Sequence, residues 1–138
     1  MKKPVYQVVA GFIEKEGKFL LVQRPFHKRN GGLWEFPGGK VERGETLEEA
    51  LKRELKEELD IEILETSFLE RIVHDYEDFQ IELFLLKVQS FKGTLTLKEA
   101  SNFKWVNFAS ALRLELCEAD KKLIQKLLSY KGMSNFSG

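Results

Sequence analysis

Two runs of alternating apolar and polar residues open the chain. "VYQVVAGFIE" (5–14) and "KFLLVQRP" (18–25) are rich in β-branched and aromatic residues, and the turn-forming "KEGK" lies between them. That pattern predicts a β-hairpin. From Arg24 to Gly44 the alternation breaks up, with two prolines and five glycines. A loop of this length inside a compact domain is usually functional. Thr46 followed three residues later by Glu49 reads as a capping box, so a helix should start there and run from about Leu47 to Leu59. Beyond it, "IEILETSFLERIVHDY" and "QIELFLLKVQSF" predict two long strands, and "TLTLKEA" and "FKWVNF" shorter extended pieces around a loop at Glu99 to Asn102. A second amphipathic helix is expected over roughly Glu118 to Tyr130, with Leu123, Ile124, Leu127 and Leu128 as its buried stripe. Strands interrupted by one helix and closed by another indicate an α/β protein, a mixed sheet with two main helices covering its faces. The expected organisation is a single domain over residues 1–131, with 132–138 a flexible C-terminal tail.

Read in steps of four, the first helix has distinct rows. Leu47, Leu51, Leu55 and Leu59 form the buried row, and Lys52 and Lys56 lie on the far side with Glu48. Glu54 and Glu58 border the leucines, and Glu57 stands on the adjoining row beside Arg53. Carboxylates at this spacing cost only about 0.2–0.5 kcal/mol per pair if they are solvated. If they are desolvated, they must be neutralised or bind a cation. The helix alone leaves both readings open.

Composition narrows the partners. The 138 residues hold 22 basic and 22 acidic side chains, a balance that argues against a large footprint for duplex nucleic acid or an anionic membrane. No apolar run reaches transmembrane length, and the N-terminus lacks a cleavage signal, so the expected location is the cytoplasm. Cys117 is the only cysteine, which rules out an internal disulfide and argues against a thiolate metal cluster.

The glycine-rich "WEFPGGKVERGE" ends where the helix begins. Gly38 and Gly39 allow backbone atoms to come close to a ligand. Carboxylates and carbonyls are the donors that hard divalent cations take, and no His or Cys cluster competes for a softer metal. "GKVERGETLEEALKRELKEELDI" resembles the Nudix box: Gly39, Glu45, Arg53, Glu54, Leu55, Glu57, Glu58 and Ile61 fit its pattern, and only Asp60 stands where the pattern has glycine. The loop, overall length and strand order resemble the MutT-like subgroup over nearly the whole chain.

The resemblance implies a Nudix-type α/β/α sandwich. It also implies magnesium-dependent hydrolysis, with manganese as a substitute, of a nucleoside triphosphate or related nucleoside diphosphate-linked substrate to the monophosphate and pyrophosphate. Such an enzyme would sanitise the nucleotide pool by removing oxidised or modified nucleotides. Carried over by position, Glu54, Glu57 and Glu58 would bind metal with the Gly39 carbonyl. Glu99 would be a further ligand or the general base, Arg53 would orient Glu57, and Glu45 would support the loop. Arg24 and Lys40 would lie near the phosphates, and Phe36 would line the base pocket. Asp120 falls where the subgroup reads the base, and an ionised aspartate only accepts hydrogen bonds where asparagine also donates. His27, Lys28 and Arg29 form a basic loop, and His74 is expected on a strand without a catalytic role. The alternatives are an RNA 5′-pyrophosphohydrolase and a non-catalytic Nudix-fold sensor. The resemblance is compatible with a monomer or a homodimer.

Overall fold

A computed structural model describes residues 2–133, with side chains through residue 130. Strand β1 (Val5–Lys15) turns into β2 (Lys18–Gln23) through Glu16 and Gly17, both with positive φ (53° and 78°). Two consecutive left-handed residues match the right-handed twist of a hairpin, and glycine at the second meets no neighbouring atoms. The segment expected to be loop from Arg24 to Gly44 holds two short strands, β3 (Trp34–Glu35) and β4 (Gly38–Lys40). Neither shows an alternation, because each is defined by its partner: β3 pairs with β2, and β4 pairs with β1. Helix α1 spans Leu47–Leu59, as the capping box predicts.

The two long strands follow as β5 (Glu62–Asp75) and β6 (Gln80–Lys92), and β7 (Asn102–Val106) pairs with β2. "TLTLKEA" forms no strand. Its backbone instead crosses the end of α1, where Thr96 and Lys98 donate to the carbonyls of Leu59 and Glu58. Those carbonyls have no partner inside the helix, and this outlet for hydrogen bonding leaves no sheet edge for the segment to join. A short helix α2 (Phe108–Leu112) precedes α3 (Glu118–Met133), which extends past the expected Tyr130. Of the expected tail, residues 132 and 133 are therefore helical, and 134–138 lie outside the described residues.

The central sheet runs β3-β2-β1-β6-β5, and only β1 and β6 are parallel neighbours. Alternation along the strands separates two cores. Val9, Ile13, Leu20, Val22, Leu86 and Val88 face α1, where Ala50, Leu51, Leu55 and Leu59 are completely buried. Ala10, Phe12, Phe19, Leu21, Leu83 and Leu85 face α2 and α3, including Leu123, Ile124 and Leu127. This is the mixed-sheet α/β/α sandwich expected from the sequence. Gly11 faces α1, and a Cβ there would stand 3.3 Å from Val88 and 3.5 Å from Leu55. The helix therefore sits close to β1 and brings its polar border to the glycine loop.

Candidate active site

The capping box starts α1 in the register that places its carboxylates. Thr46 Oγ1 accepts from the Glu49 amide (3.1 Å), and Glu49 accepts from the Thr46 amide (2.9 Å). Leu51, Leu55 and Leu59 are buried and Leu47 is half-buried, the lysines are exposed, and Glu54 and Glu58 lie at the border. Glu58 is 9% exposed. Gly39 lies against Glu54 so closely that a Cβ at position 39 would overlap its carboxylate. Glycine at this point leaves the Glu54 carboxylate its place, which a Cβ would take.

Arg53 holds the arrangement from outside. It donates to Glu45 at 2.7 and 2.9 Å, to Glu54 at 2.9 Å and to the Lys40 carbonyl at 3.0 Å. Its contact with Glu57 is longer, 3.5 Å. Arg53 thus ties Glu45, Glu54 and β4 together more tightly than it orients Glu57. The guanidinium and the Glu42 amide draw the Glu45 carboxyl down to about 2.

Glu54, Glu58 and Glu99 line a pocket of about 180 Å³ together with Arg24, Lys28, Glu35, Gly38 and Gly39. Burial, followed by the charges of Glu35, Glu54 and Glu99, pushes Glu58 up to about 8. Glu54 is raised as well, first by burial, against the lowering effect of Arg53. Desolvation of this kind, strongest at Glu58, favours the protonated carboxyl unless a cation joins it. The donors are all oxygen, which fits a hard divalent cation. Glu57, on the same helix, is half-exposed and outside the lining of this pocket.

A larger cavity of about 540 Å³ opens on the other side of the same wall. Arg24, Glu35, Gly38 and Gly39 line both spaces. Lys40 lies at its edge with its ammonium 4.3 Å from the Tyr6 ring centroid. Tyr6, Tyr76 and Phe79 form an aromatic side, the last two stacked at 4.9 Å. Arg29 crosses towards them, pairing with Asp78 and lying 4.8 Å from the Phe79 centroid. Phe36 contributes to the wall, but its ring is 2% exposed and packs with Phe12 and Phe19 in the core. Asp120, at the start of α3, is 6% exposed and accepts from the Phe36 amide at 2.9 Å.

The predicted site residues are therefore divided between two adjoining spaces. Glu54, Glu58 and Glu99 meet in one, Lys40, Phe36 and Asp120 in the other, and Arg24 and Gly39 line both. Lys28 reaches the smaller pocket, whereas His74 lies on β5 paired with Glu118, outside both linings. Sequence reasoning passed over Glu35, Tyr6, Tyr76, Phe79 and Cys117. Glu35 sits in the quoted "WEFPGGK" and could have been singled out as a carboxylate inside a glycine-rich loop. The aromatics carry no local signal, because ordinary strand and turn residues look the same. No helix among the described residues is long and apolar enough to cross a membrane.

Residues 3–127 match the NUDIX domain family. The chain is 41% identical to an 8-oxo-dGTP diphosphatase of Proteus vulgaris over 102 residues, which is 73% of this chain and 91% of that protein. It is 38% identical to a CTP pyrophosphohydrolase of Escherichia coli over 125 residues, 91% and 93% of the two. The solution structure of the E. coli ORF135 protein superposes with a TM-score of 0.84 at 36% identity, covering 98% of this chain and 96% of that one. The matched segment includes the box, the glycine loop and both cavities, and hydrolases of this family use a divalent metal. The chain belongs to the NUDIX domain family and is a Nudix hydrolase of the MutT-like kind.

Proposed function

We propose that this protein is a magnesium-dependent pyrophosphohydrolase that cleaves a nucleoside triphosphate to the monophosphate and pyrophosphate. The observation that carries this reading is the shared wall. A carboxylate-lined pocket fit for a hard cation adjoins an aromatic-sided cavity of about 540 Å³, with Arg24 at the junction. A nucleotide has the same division, a charged phosphate chain joined to a flat base. The names of the similar proteins, an 8-oxo-dGTP diphosphatase and a CTP pyrophosphohydrolase, point to the same substrate class.

In this reading Glu54, Glu57, Glu58 and Glu99 would hold magnesium with the Gly39 carbonyl. When bound, the metal offsets phosphate charge and lowers the pKa of a water. Arg53 keeps Glu54 against Gly39, and Arg24 and Lys40 meet the phosphates. One carboxylate among Glu54, Glu57, Glu58 and Glu99 would take the proton of the attacking water. Tyr6, Tyr76 and Phe79 flank the nucleoside, and Asp120 faces the base.

The test is a panel of ordinary and oxidised nucleoside triphosphates, dinucleotides and 5′-triphosphorylated RNA, incubated with magnesium and resolved by chromatography. Monophosphate and pyrophosphate from a free triphosphate are the expected products. Turnover of the RNA alone would replace this reading with 5′-end processing, and no turnover of any substrate with any divalent metal would refute it.

A further inference from the structure

Three polar or charged residues are buried among those described, Glu58, Asp120 and His74, and the first two belong to the site already described. His74 does not. It lies on β5, 8% exposed, with Nε2 3.1 Å from a carboxylate oxygen of Glu118, the first residue of α3. A carboxylate only accepts, so Nε2 carries the hydrogen. Nδ1 is left over: among the described residues it is the only buried side-chain nitrogen or oxygen without a hydrogen-bond partner in the protein. An apolar side chain would avoid the cost of burying that nitrogen. The histidine therefore costs stability, and its contacts indicate what it does instead.

Those contacts lead to the nucleoside cavity. The imidazole meets the Tyr76 ring edge to face, with centroids 4.5 Å apart and planes at 77°. Tyr76 stacks on Phe79, and both line the cavity. Burial pushes the Tyr76 hydroxyl up to about 12 and the Ala119 backbone draws it back, which sets that hydroxyl beside the first turn of α3. Ala119 and Asp120 in that turn line the cavity, whereas His74 and Glu118 do not. The imidazole thus stands behind the cavity wall. One nitrogen joins it to the helix that carries Asp120, and its ring joins it to an aromatic side of the cavity.

We propose that His74 is a positioning residue: clasped by Glu118, it fixes Tyr76 against the first turn of α3 and so holds the nucleoside side of the cavity in its binding shape. It touches neither substrate nor metal. A stacking ring already held in place loses less freedom on binding, so the clasp contributes affinity by preorganisation. The phosphate side, across the shared wall, does not depend on it. This inference rests on the nucleotide reading of the site given above.

The measurement is calorimetric binding of GMP and, with magnesium, of inorganic pyrophosphate to the full chain, together with KM and kcat for GTP. His74→Leu removes the orphaned nitrogen from a buried position and should melt close to wild type. It should weaken GMP binding and raise the KM for GTP by roughly three- to tenfold, the scale of one aromatic pair. Pyrophosphate binding and kcat should stay within about twofold, as when binding alone is lost. Glu118→Ala, at an exposed side chain, should weaken GMP by about twofold. Glu118→Gln, whose amide oxygen still accepts, should restore it. In a Tyr76→Leu background His74→Leu should add nothing, because its action runs through Tyr76.

Unchanged GMP binding in His74→Leu, an equal loss of pyrophosphate binding, or an effect that persists in full in Tyr76→Leu would overturn the positioning role and leave the hydrolase reading intact. Should His74→Leu fail to fold, GMP binding at the wild-type level in Glu118→Ala would overturn it. The expected losses of GMP binding without turnover of any triphosphate would refute the hydrolase reading and leave the clasp standing. No GMP binding by the wild type would overturn both.

Discussion

Glu57 and Gly39 show how differently two residues of one motif are held. Glu57 is half-exposed, and its ion pair with Arg53 is long, 3.5 Å, an interaction that contributes little to stability. Glu57→Gln should therefore leave the thermal midpoint nearly unchanged. If Glu57 is a metal ligand, the same change should reduce turnover by roughly 100-fold or more, several kcal/mol of lost charge stabilisation. Activity near wild type in a folded Glu57→Gln protein would remove Glu57 from the metal set. At Gly39 the constraint is steric, since any Cβ displaces the Glu54 carboxylate. Because the displaced group is the end of a flexible side chain, Gly39→Ala should fold and melt close to wild type but lose magnesium affinity, read by calorimetry. Gly38 contrasts with it, because a Cβ there would overlap the Val9 carbonyl in β1. Gly38→Ala should mainly lower stability. The adjacent glycines have separate tasks, which "PGG" as a string does not reveal.

Helix α1 was legible almost to the residue because its signals are local. Its start is a capping box within four positions, and its buried row repeats every four. Thr46→Ala removes the cap and should cost about 1 kcal/mol in denaturant unfolding, with the folded fraction keeping its activity. The other end is where the sequence departs from the box. Asp60 adopts the left-handed conformation (φ 56°, ψ 36°), donates its amide to the Lys56 carbonyl and pairs with Lys56 Nζ at 3.0 Å. The helix therefore ends as a glycine would end it, and Asp60 replaces none of the carboxylates carried by α1. Asp60→Gly should raise the midpoint by at most a few degrees, since relief of the left-handed strain is opposed by loss of the Lys56 pair. A fall in turnover in that variant would mean that the helix end matters to the site after all. Strands β3 and β4, by contrast, have two and three residues and no period to read. Their hydrogen bonds go to β2 and β1, and nothing within either short strand identifies that partner.

For the whole molecule, the carboxylate cluster links metal binding to stability and pH. In the unfolded chain Glu58 loses its proton near the ordinary glutamate value, whereas in the metal-free fold it keeps it to about 8. Between those values the folded state binds more protons, so stability falls as pH rises through that window. The metal-free protein should melt at lower temperature at about pH 8 than at about pH 6, both within the window between the unfolded and folded values of Glu58. Magnesium should raise the midpoint more at the higher pH, because binding there displaces fewer protons. A metal-induced rise that is larger at the lower pH would contradict the cluster as the metal site. Glu45 acts in the opposite sense: with its carboxyl held at about 2 by Arg53, its contribution is present above the unfolded value and is lost as pH falls towards 2. By itself the sequence determined the register of α1, the carboxylates it carries, the glycine loop before it and the α/β class, because periodicity, capping and turn chemistry act over a few residues. Only the tertiary structure decided which carboxylates are desolvated, that the cation pocket and the nucleoside cavity share a wall, and that His74 packs against Tyr76. The amide of Phe36 reaches Asp120 across 84 positions, and that contact exists only because the α3 face of the sheet brings the end of β3 to the start of the last helix.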